Sequence, residues 1–366
     1  MSADRLSAIW AQPERMPVFS LSEWEIVLGQ AMQARLMARL ACHLIDHGWL
    51  AQVPPQPRQY LEGGLRLVER QHHEVQWEVD CICRAIKHVD SPVVLLKGAA
   101  YLIAGLPPGR GRLFSDIDIM VRRECLTETE QGLFSHGWIS EERDDYNERY
   151  YREWMHEIPP MKHVQRNTVI DVHHTITPPT SFFKVDSAKL FERIVPVDAA
   201  RKLFVLAPSD MVLHSAVHLF QEGEFGHGMR DLLDLCDLLQ HFGKDRLFWP
   251  QLFNRARELG LGEPLFHALQ HASRLFSVTV PIEFQAQLQA IQPNVMTRWI
   301  IPALLRRALQ PHHPSCDDGL SRLSRWLLYV RAHYLRMPWY LVVPHLLRKS
   351  YMRYFPDQKD NGVLPR

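Results

Sequence analysis

The sequence has almost no net charge and no long apolar run. Its formal charge is +1 over 366 residues, so no global electrostatic field favours a nucleic acid or a membrane surface as its partner. No stretch of about 18 uncharged apolar residues occurs, so no membrane-spanning helix is predicted. Residues 1–16 lack the apolar centre of a signal peptide. These absences predict a cytoplasmic protein for which nucleic acid is a disfavoured partner.

Cysteine is scarce and scattered, with six in the chain. Cys81 and Cys83 are the closest pair, and one intervening residue gives a poor chelating geometry on a helix. No second pair completes a zinc site. We expect reduced thiols, most of them buried, as is usual in cytoplasmic proteins. The distribution therefore argues against a disulfide framework and a cysteine-based zinc site.

The spacing of apolar residues divides the chain into three regions. Residues 1–90 are predicted to be an N-terminal helical region, because residues 20–90 read as helical and apolar side chains in residues 58–88 recur at intervals of three, four and seven. Residues 91–200 contain short apolar or alternating runs that indicate strands. Residues 201–366 return to helical spacing, with proposed breaks at prolines such as Pro302. The fold class expected is α+β, with a small mixed β-sheet flanked by N-terminal and C-terminal helical regions.

Individual elements can also be predicted. Ser22 and Glu25 form a capping-box pattern at the start of the first long helix. The predicted strands are residues 93–96, 116–121, 152–166 and 168–175. The predicted C-terminal helices include residues 209–221, 228–242, 248–259, 263–276 and 282–291.

Two aspartates stand two residues apart on one predicted strand. Side chains alternate between the faces of a strand, so Asp116 and Asp118 point to one side while Ile117 and Ile119 point into the core. Asp is disfavoured in strands, so two in one strand require a reason. Paired carboxylates can hold a divalent cation that bridges them to a triphosphate. The simpler alternative is a half-exposed strand with two solvated acids.

A glycine turn and a third aspartate extend this pattern. Gly98 follows a predicted strand and starts a helix, where a glycine lets the backbone approach a phosphate and the helix N-terminus favours anions. Lys97 could reach a phosphate oxygen, although a simple tight turn is the alternative. Asp171 lies in another β-branched strand. It could complete a metal site or act as a general base if the strands are neighbours, or it could be an edge-strand acid.

In combination, these segments resemble the nucleotidyltransferase superfamily, whose members share a DNA-polymerase-β-like core. That family has a hydrophobic strand followed by Gly and a small residue, then Asp-hydrophobic-Asp, then a later strand with a third acid. An uncharacterised bacterial subfamily, often associated with polysaccharide-biosynthesis gene sets, is more closely similar. The matching residues here are Leu96-Lys97-Gly98-Ala99, Arg112, Asp116-Ile117-Asp118-Ile119, Ile170-Asp171-Val172, His173, His218 and Arg230-Asp231-Leu232-Leu233-Asp234.

The resemblance implies a Mg²⁺-dependent enzyme that moves a nucleoside monophosphate from a nucleoside triphosphate to an acceptor hydroxyl of a small molecule, sugar or protein. Asp116 and Asp118 would bind one or two Mg²⁺ ions, and Asp171 would complete the site and activate the acceptor. The nucleotidyltransferase core would be residues 91–200. The residues that would contact the nucleotide are Lys97, Gly98, Ala99, Arg112, Ser115 and Arg230.

Two other functions remain open. Ala99 stands where the superfamily often has serine, and the loop between Gly98 and Asp116 is long. Both features favour a non-catalytic binding or assembly protein with a degenerate core, which the gene association would tie to polysaccharide biosynthesis. A third possibility is an antitoxin-like protein that modifies a partner protein.

Three further features have both functional and structural interpretations. His214 and His218 are one helical turn apart and could ligate zinc, although helix packing is the simpler explanation. Residues 230–234 could reach a phosphate, or could form an amphipathic helix with leucines inward and acids outward. The segment 298–353 is basic with interleaved aromatics. It could contact a membrane surface, a nucleic acid or an acidic protein partner, or simply be solvated.

Overall fold

The computed structural model describes residues 4–11, 19–140, 145–221, 223, 225–338, 340 and 342. Within them, the helices before the sheet are α1 (Arg5–Ala11), α2 (Leu21–Gln33), α3 (Met37–Asp46) and α4 (Pro55–Ala85). The sheet region contains β1 (Val93–Leu95), α5 (Lys97–Ile103), β2 (Ile117–Met120), α6 (Leu126–Ser135), β3 (Trp138–Ser140), α7 (Asp145–Trp154), β4 (Met161–His163), β5 (Val169–His173), α8 (Ser187–Phe191), β6 (Val195–Asp198) and β7 (Leu203–Val205). The later helices are α9 (Pro208–Gln221), α10 (Gly228–Phe242), α11 (Phe248–Glu258), α12 (Gly262–Phe276), α13 (Gln285–Ala290), α14 (Val295–Ala308) and α15 (Ser321–Arg336).

The strands form one mixed sheet in the order β3-β4-β5-β2-β1-β7-β6. β1 pairs antiparallel with β2 and parallel with β7, while β2 pairs parallel with β5. Every residue of β1 and β2 is buried, as their central positions in the sheet require. The expected α+β class, with a small mixed sheet among flanking helices, is therefore confirmed.

Helix α10 joins two apolar clusters. Its Leu232 and Leu235 belong to a large cluster that contains the sheet and the helices after it. Its Met229 and Leu233 pack with a second cluster built mainly from the N-terminal helices. Burial of leucines on two sides anchors α10 at this junction and fixes the polar residues between them.

The start of α2 differs from the prediction. The N-terminal cap is Ser20, whose hydroxyl accepts a hydrogen bond from the backbone N–H of Glu23 at 3.4 Å. The Glu23 carboxylate accepts one in return from the backbone N–H of Ser20 at 2.9 Å. The capping box predicted at Ser22 and Glu25 was therefore wrong by two residues, because both pairs fit the same sequence pattern.

The strand predicted at residues 152–166 was also wrong over most of its length. Helix α7 continues to Trp154, and β4 covers Met161–His163 alone. Within α7, Arg149 contacts Glu153 at 3.0 Å and Arg152 contacts Glu148 at 3.1 Å. Ion pairs four residues apart support a helix. The strand prediction overlooked this charge spacing because aromatic residues lie between the charged ones.

Helix α14 runs through Pro302, so the break predicted there was wrong. Pro302 is buried together with Leu305 and Ala308, and this buried face supports the helix despite the hydrogen bond that proline cannot donate. No helix among the residues described above is long and apolar enough to cross a membrane. All six cysteines are free thiols, of which Cys83, Cys236 and Cys316 are buried and the other three half-buried.

The basic C-terminal segment is partly neutralised where it is described. Arg307 pairs with Asp318 at 2.9 Å, and Arg325 pairs with Asp317 at 2.7 Å. Arg331 reaches Glu263 of α12 at 2.7 Å. The predicted basic residues Arg348, Lys349 and Arg353 lie outside the described residues.

Candidate active site

Parallel pairing of β2 with β5 brings the predicted acids together. Asp118 and Asp171 are direct partners in the register, and directly paired residues of neighbouring strands point to the same face of a sheet about 4.8 Å apart. Asp116 precedes β2 by one residue and shares the face of Asp118 by alternation. Ile117 and Ile119 are 3% and 0% exposed, which confirms that they point into the core. The three carboxylates therefore lie on one face of two adjacent strands.

Asp118 is the most constrained of these acids. Its Oδ1 atom lies 3.2 Å from Lys97 Nζ and 3.0 Å from His173 Nε2. Burial opposes its ionisation, but the charge of Lys97 and the hydrogen bond from His173 prevail and hold the pKa of Asp118 well below its usual value. Burial, together with the Asp118 charge, raises the pKa of Asp116. A fixed anion thus stands beside a second carboxylate that a cation would help to ionise.

A cavity of about 320 Å³ opens over Asp116 and Asp118. Among the predicted site residues, Ala99 is buried and Asp171 half-buried, and neither is part of the described lining. The other predicted residues that line the cavity are Lys97, Gly98, Arg112, Ser115 and Arg230. The lining residues not predicted as site residues include Tyr101, Phe114, Ser215, His218, His227, Asp231 and Asp234.

Gly98 is required by the close approach of two cavity side chains. A Cβ atom at this position would lie 2.7 Å from Arg112 Nε and 3.0 Å from Phe114 Cε1. Lys97 before it has a φ of 44°, a left-handed conformation that costs about 1–2 kcal/mol for a residue with a side chain. Helix α5 has seven residues, so its dipole is short. The turn therefore shapes the cavity because the absence of a side chain at Gly98 leaves room for Arg112 and Phe114.

Arg112 is held by an acid from α10. Asp234 is 3% exposed and forms ion pairs with Arg112 and, at 2.7 Å, with Arg39. Burial lowers the pKa of Arg112 to about 10, a value that keeps the guanidinium charged at neutral pH. The alternative that placed the acids of residues 230–234 outward is wrong for Asp234, because two guanidinium groups surround it.

Arg230 is fixed differently, by its neighbour Asp231 at 2.8 Å. Both residues line the cavity, and Arg230 is 9% exposed. Two guanidinium groups and the Lys97 ammonium therefore face the same space as the two aspartates. Such a mixture of carboxylates and fixed cations suits a metal-bound polyphosphate.

Comparison with protein-family models identifies the family of the chain. A family described as uncharacterised nucleotidyltransferase matches residues 20–277. The chain belongs to this family. The match begins at the cap of α2 and ends just after α12. This nucleotidyltransferase region therefore includes α2, α3 and α4 of the N-terminal helices, and it excludes α1 and the helices from α13 onward. Neither the curated proteins nor the solved structures gave a match.

The histidine pair of α9 has no zinc site around it in the described part of this nucleotidyltransferase. The rings of His214 and His218 are 6.4 Å apart, and no third ligand residue accompanies them there. Burial, followed by the charge of Lys97, lowers the pKa of both well below the usual value. His218 lines the cavity as a neutral polar group.

Replacing Gly98 by alanine is expected to lower the free energy of unfolding by about 1–3 kcal/mol through overpacking. Arg112 cannot move away easily because it is buried and paired with Asp234. Chemical denaturation measures this change. Gly63→Ala in α4 is the control, since nothing lies within 4 Å of its added Cβ and alanine favours a helix by up to about 1 kcal/mol. Equal effects of the two substitutions would contradict the packing described for Gly98.

Proposed function

We propose that the protein catalyses Mg²⁺-dependent transfer of a nucleoside monophosphate from a nucleoside triphosphate to an acceptor hydroxyl. The observation that carries this proposal is the register that pairs Asp118 with Asp171, with Asp116 on the same face. Carboxylate oxygens are the ligands that Mg²⁺ prefers. The cavity volume of about 320 Å³ falls within the range of roughly 300–1,000 Å³ found for small-molecule sites.

The predicted site residues would divide the work of this reaction among them. Bound Mg²⁺ would neutralise phosphate charge and lower the pKa of the acceptor hydroxyl. Arg112 and Arg230 would hold the phosphate oxygens with guanidinium groups that α10 keeps in place. The acceptor oxygen bonds to the α-phosphorus, the bond to pyrophosphate breaks, and Asp171 receives the hydroxyl proton.

Lys97 has two partners in this scheme. Its ammonium lies 3.2 Å from Asp118 in the protein alone, where it offsets the carboxylate charge. When the metal and nucleotide occupy the site, the same flexible cation can turn to a phosphate oxygen. Lys97 would then stabilise Asp118 before binding and the phosphate during binding.

The degenerate-core alternative loses support from the placement of its two features. Ala99 is buried and is not part of the described cavity lining. The long loop after Gly98 supplies Arg112 and Phe114 to that lining. The loop is therefore part of the cavity wall, as expected of a working site.

Thermal unfolding with each of the four common nucleoside triphosphates, with and without Mg²⁺, tests the proposal. At a ligand concentration of about 100 times Kd, binding stabilises the folded state by about 2.7 kcal/mol. We expect at least one triphosphate to raise Tm in the presence of Mg²⁺ and to lose that effect in EDTA. Failure of every triphosphate, or an equal shift without the metal, would count against the proposal.

A further inference from the structure

We propose that His156, Glu157 and His173 bind a divalent transition-metal ion of the zinc type, next to the aspartates but separate from the Mg²⁺ site. The loop after α7 carries two of these ligands, and the last residue of β5 carries the third. One donor atom from each residue lies within 4.8 Å of the other two.

The backbone holds this loop against β5. The N–H of Ile158 donates to the carbonyl of Val172 at 3.0 Å, and the N–H of His174 donates to the carbonyl of His156 at 2.9 Å. Glu157 and His173 form an antiparallel bridge between these two bonds. The ligands therefore stand on paired backbone segments, which fixes their separation without a metal.

The side-chain distances suit a small cation. Glu157 Oε2 lies 3.3 Å from His173 Nδ1 and 4.0 Å from His156 Nε2. Donor atoms roughly 3.3 Å apart are what tetrahedral zinc requires when its bonds are about 2.0 Å long. The two rings are 5.1 Å apart between centroids. The contact between His156 and Glu157 must shorten by less than an ångström to reach that separation.

Hydrogen bonding gives the strongest reason for a cation here. His173 is 1% exposed and its Nε2 donates to Asp118, so in the neutral ring Nδ1 carries a lone pair. That lone pair faces the Glu157 carboxylate, and Nδ1 has no hydrogen-bond partner among the described residues. Two acceptors that face each other repel, whereas a cation between them attracts both.

His156 adds an independent observation. It is 7% exposed, and its Nε2 atom faces the Glu157 carboxylate, with Oε2 at 4.0 Å. Two imidazoles with one carboxylate favour zinc or a similar transition ion over Mg²⁺.

Such an ion would act on the reaction through His173. A histidine that ligates a metal commonly donates its other N–H to a carboxylate, and here that carboxylate belongs to Asp118. Metal on Nδ1 would make the Nε2–H group a stronger donor. His173 would thereby be a positioning residue that orients Asp118, while His156 and Glu157 complete the metal site.

Zinc titration of the chelator-stripped full chain, in excess Mg²⁺, tests this site by calorimetry. We expect about one zinc ion per chain, and at least about 100-fold weaker binding after His156→Ala, which removes a direct ligand. Glu157→Gln gives a second variant that preserves shape. Exposed His88→Ala controls for the loss of a histidine. Cobalt absorption spectra of the same proteins distinguish a histidine-bound ion of low coordination number from an octahedral ion on carboxylates.

Asp116→Asn separates this inference from the proposed function. It should retain the zinc affinity of the parent protein, even though it removes a ligand of the Mg²⁺ site. Absence of stoichiometric zinc binding in the parent, or parent-like binding in both His156→Ala and Glu157→Gln, would overturn the zinc site. The Mg²⁺-dependent increase in Tm on nucleotide binding would be unaffected by that outcome.

Discussion

Asp116→Asn is expected to reduce nucleotidyl transfer by about 10³-fold, the upper range for the loss of one preorganised electrostatic group, and to leave the fold as stable as before or more stable. In the folded protein, burial and the Asp118 charge raise the pKa of Asp116. Its ionised form therefore costs free energy at neutral pH, and a neutral amide removes that cost. Its described hydrogen bond comes from Ser115 Oγ at 3.3 Å, which an amide oxygen can also accept.

Steady-state turnover and chemical denaturation measure the two parts of this prediction. Asp90→Asn serves as the control, because Asp90 is an exposed acid that pairs with Lys202 away from the cavity. It should change neither quantity appreciably, since exposed ion pairs contribute at most about 1 kcal/mol. Turnover by Asp116→Asn within about tenfold of the parent would remove Asp116 from the reaction, because tenfold corresponds to only about 1.4 kcal/mol of barrier.

Asp234→Ala is expected to lower the free energy of unfolding by about 3–5 kcal/mol, the cost of leaving a buried charge without its partner. Asp234 is buried between Arg39 and Arg112. Arg39 retains its close partner Asp237, whereas Arg112 retains the longer contact of 3.8 Å with Asp231. The loss of Asp234 therefore costs Arg112 more. Because Arg112 lines the cavity, the variant should also bind the Mg²⁺ complex of the nucleotide more weakly.

An exposed aspartate–arginine pair provides the matched control. Asp46 pairs with Arg110 at 2.7 Å, with both side chains about half exposed. Asp46→Ala should cost less than about 1 kcal/mol by the same denaturation measurement. If the two substitutions proved equally mild, Asp234 would not be the anchor of the cavity cations.

The sequence predicted the helices better than the strands. Segments 209–221 and 228–242 coincide with α9 and α10 to within one residue, because long apolar repeats constrain a helix strongly. β6 contains Pro196 and lies at the edge of the sheet, and proline weakens any strand signal. β7 has three residues, too few to show a period, although it pairs with central β1.

For the site, local patterns identified residues but not their long-range partners. The alternation at residues 116–121 correctly placed Ile117 and Ile119 in the core. Burial of Asp234 depends on Arg39, which is 195 positions away in the chain, so a helical pattern alone favoured an outward acid. Glu157 lay in a predicted strand, and its meeting with His173 depends on a tertiary bridge.

Anomalous diffraction from crystals grown with Mn²⁺ and a non-hydrolysable nucleoside triphosphate tests most directly whether the aspartates hold the catalytic metal. We predict an anomalous peak within bonding distance of Asp116 and Asp118, beside Asp171, with the triphosphate in the cavity against Arg112. A fully bound triphosphate whose metal lies elsewhere, or a nucleotide outside this cavity, would contradict the proposed reaction.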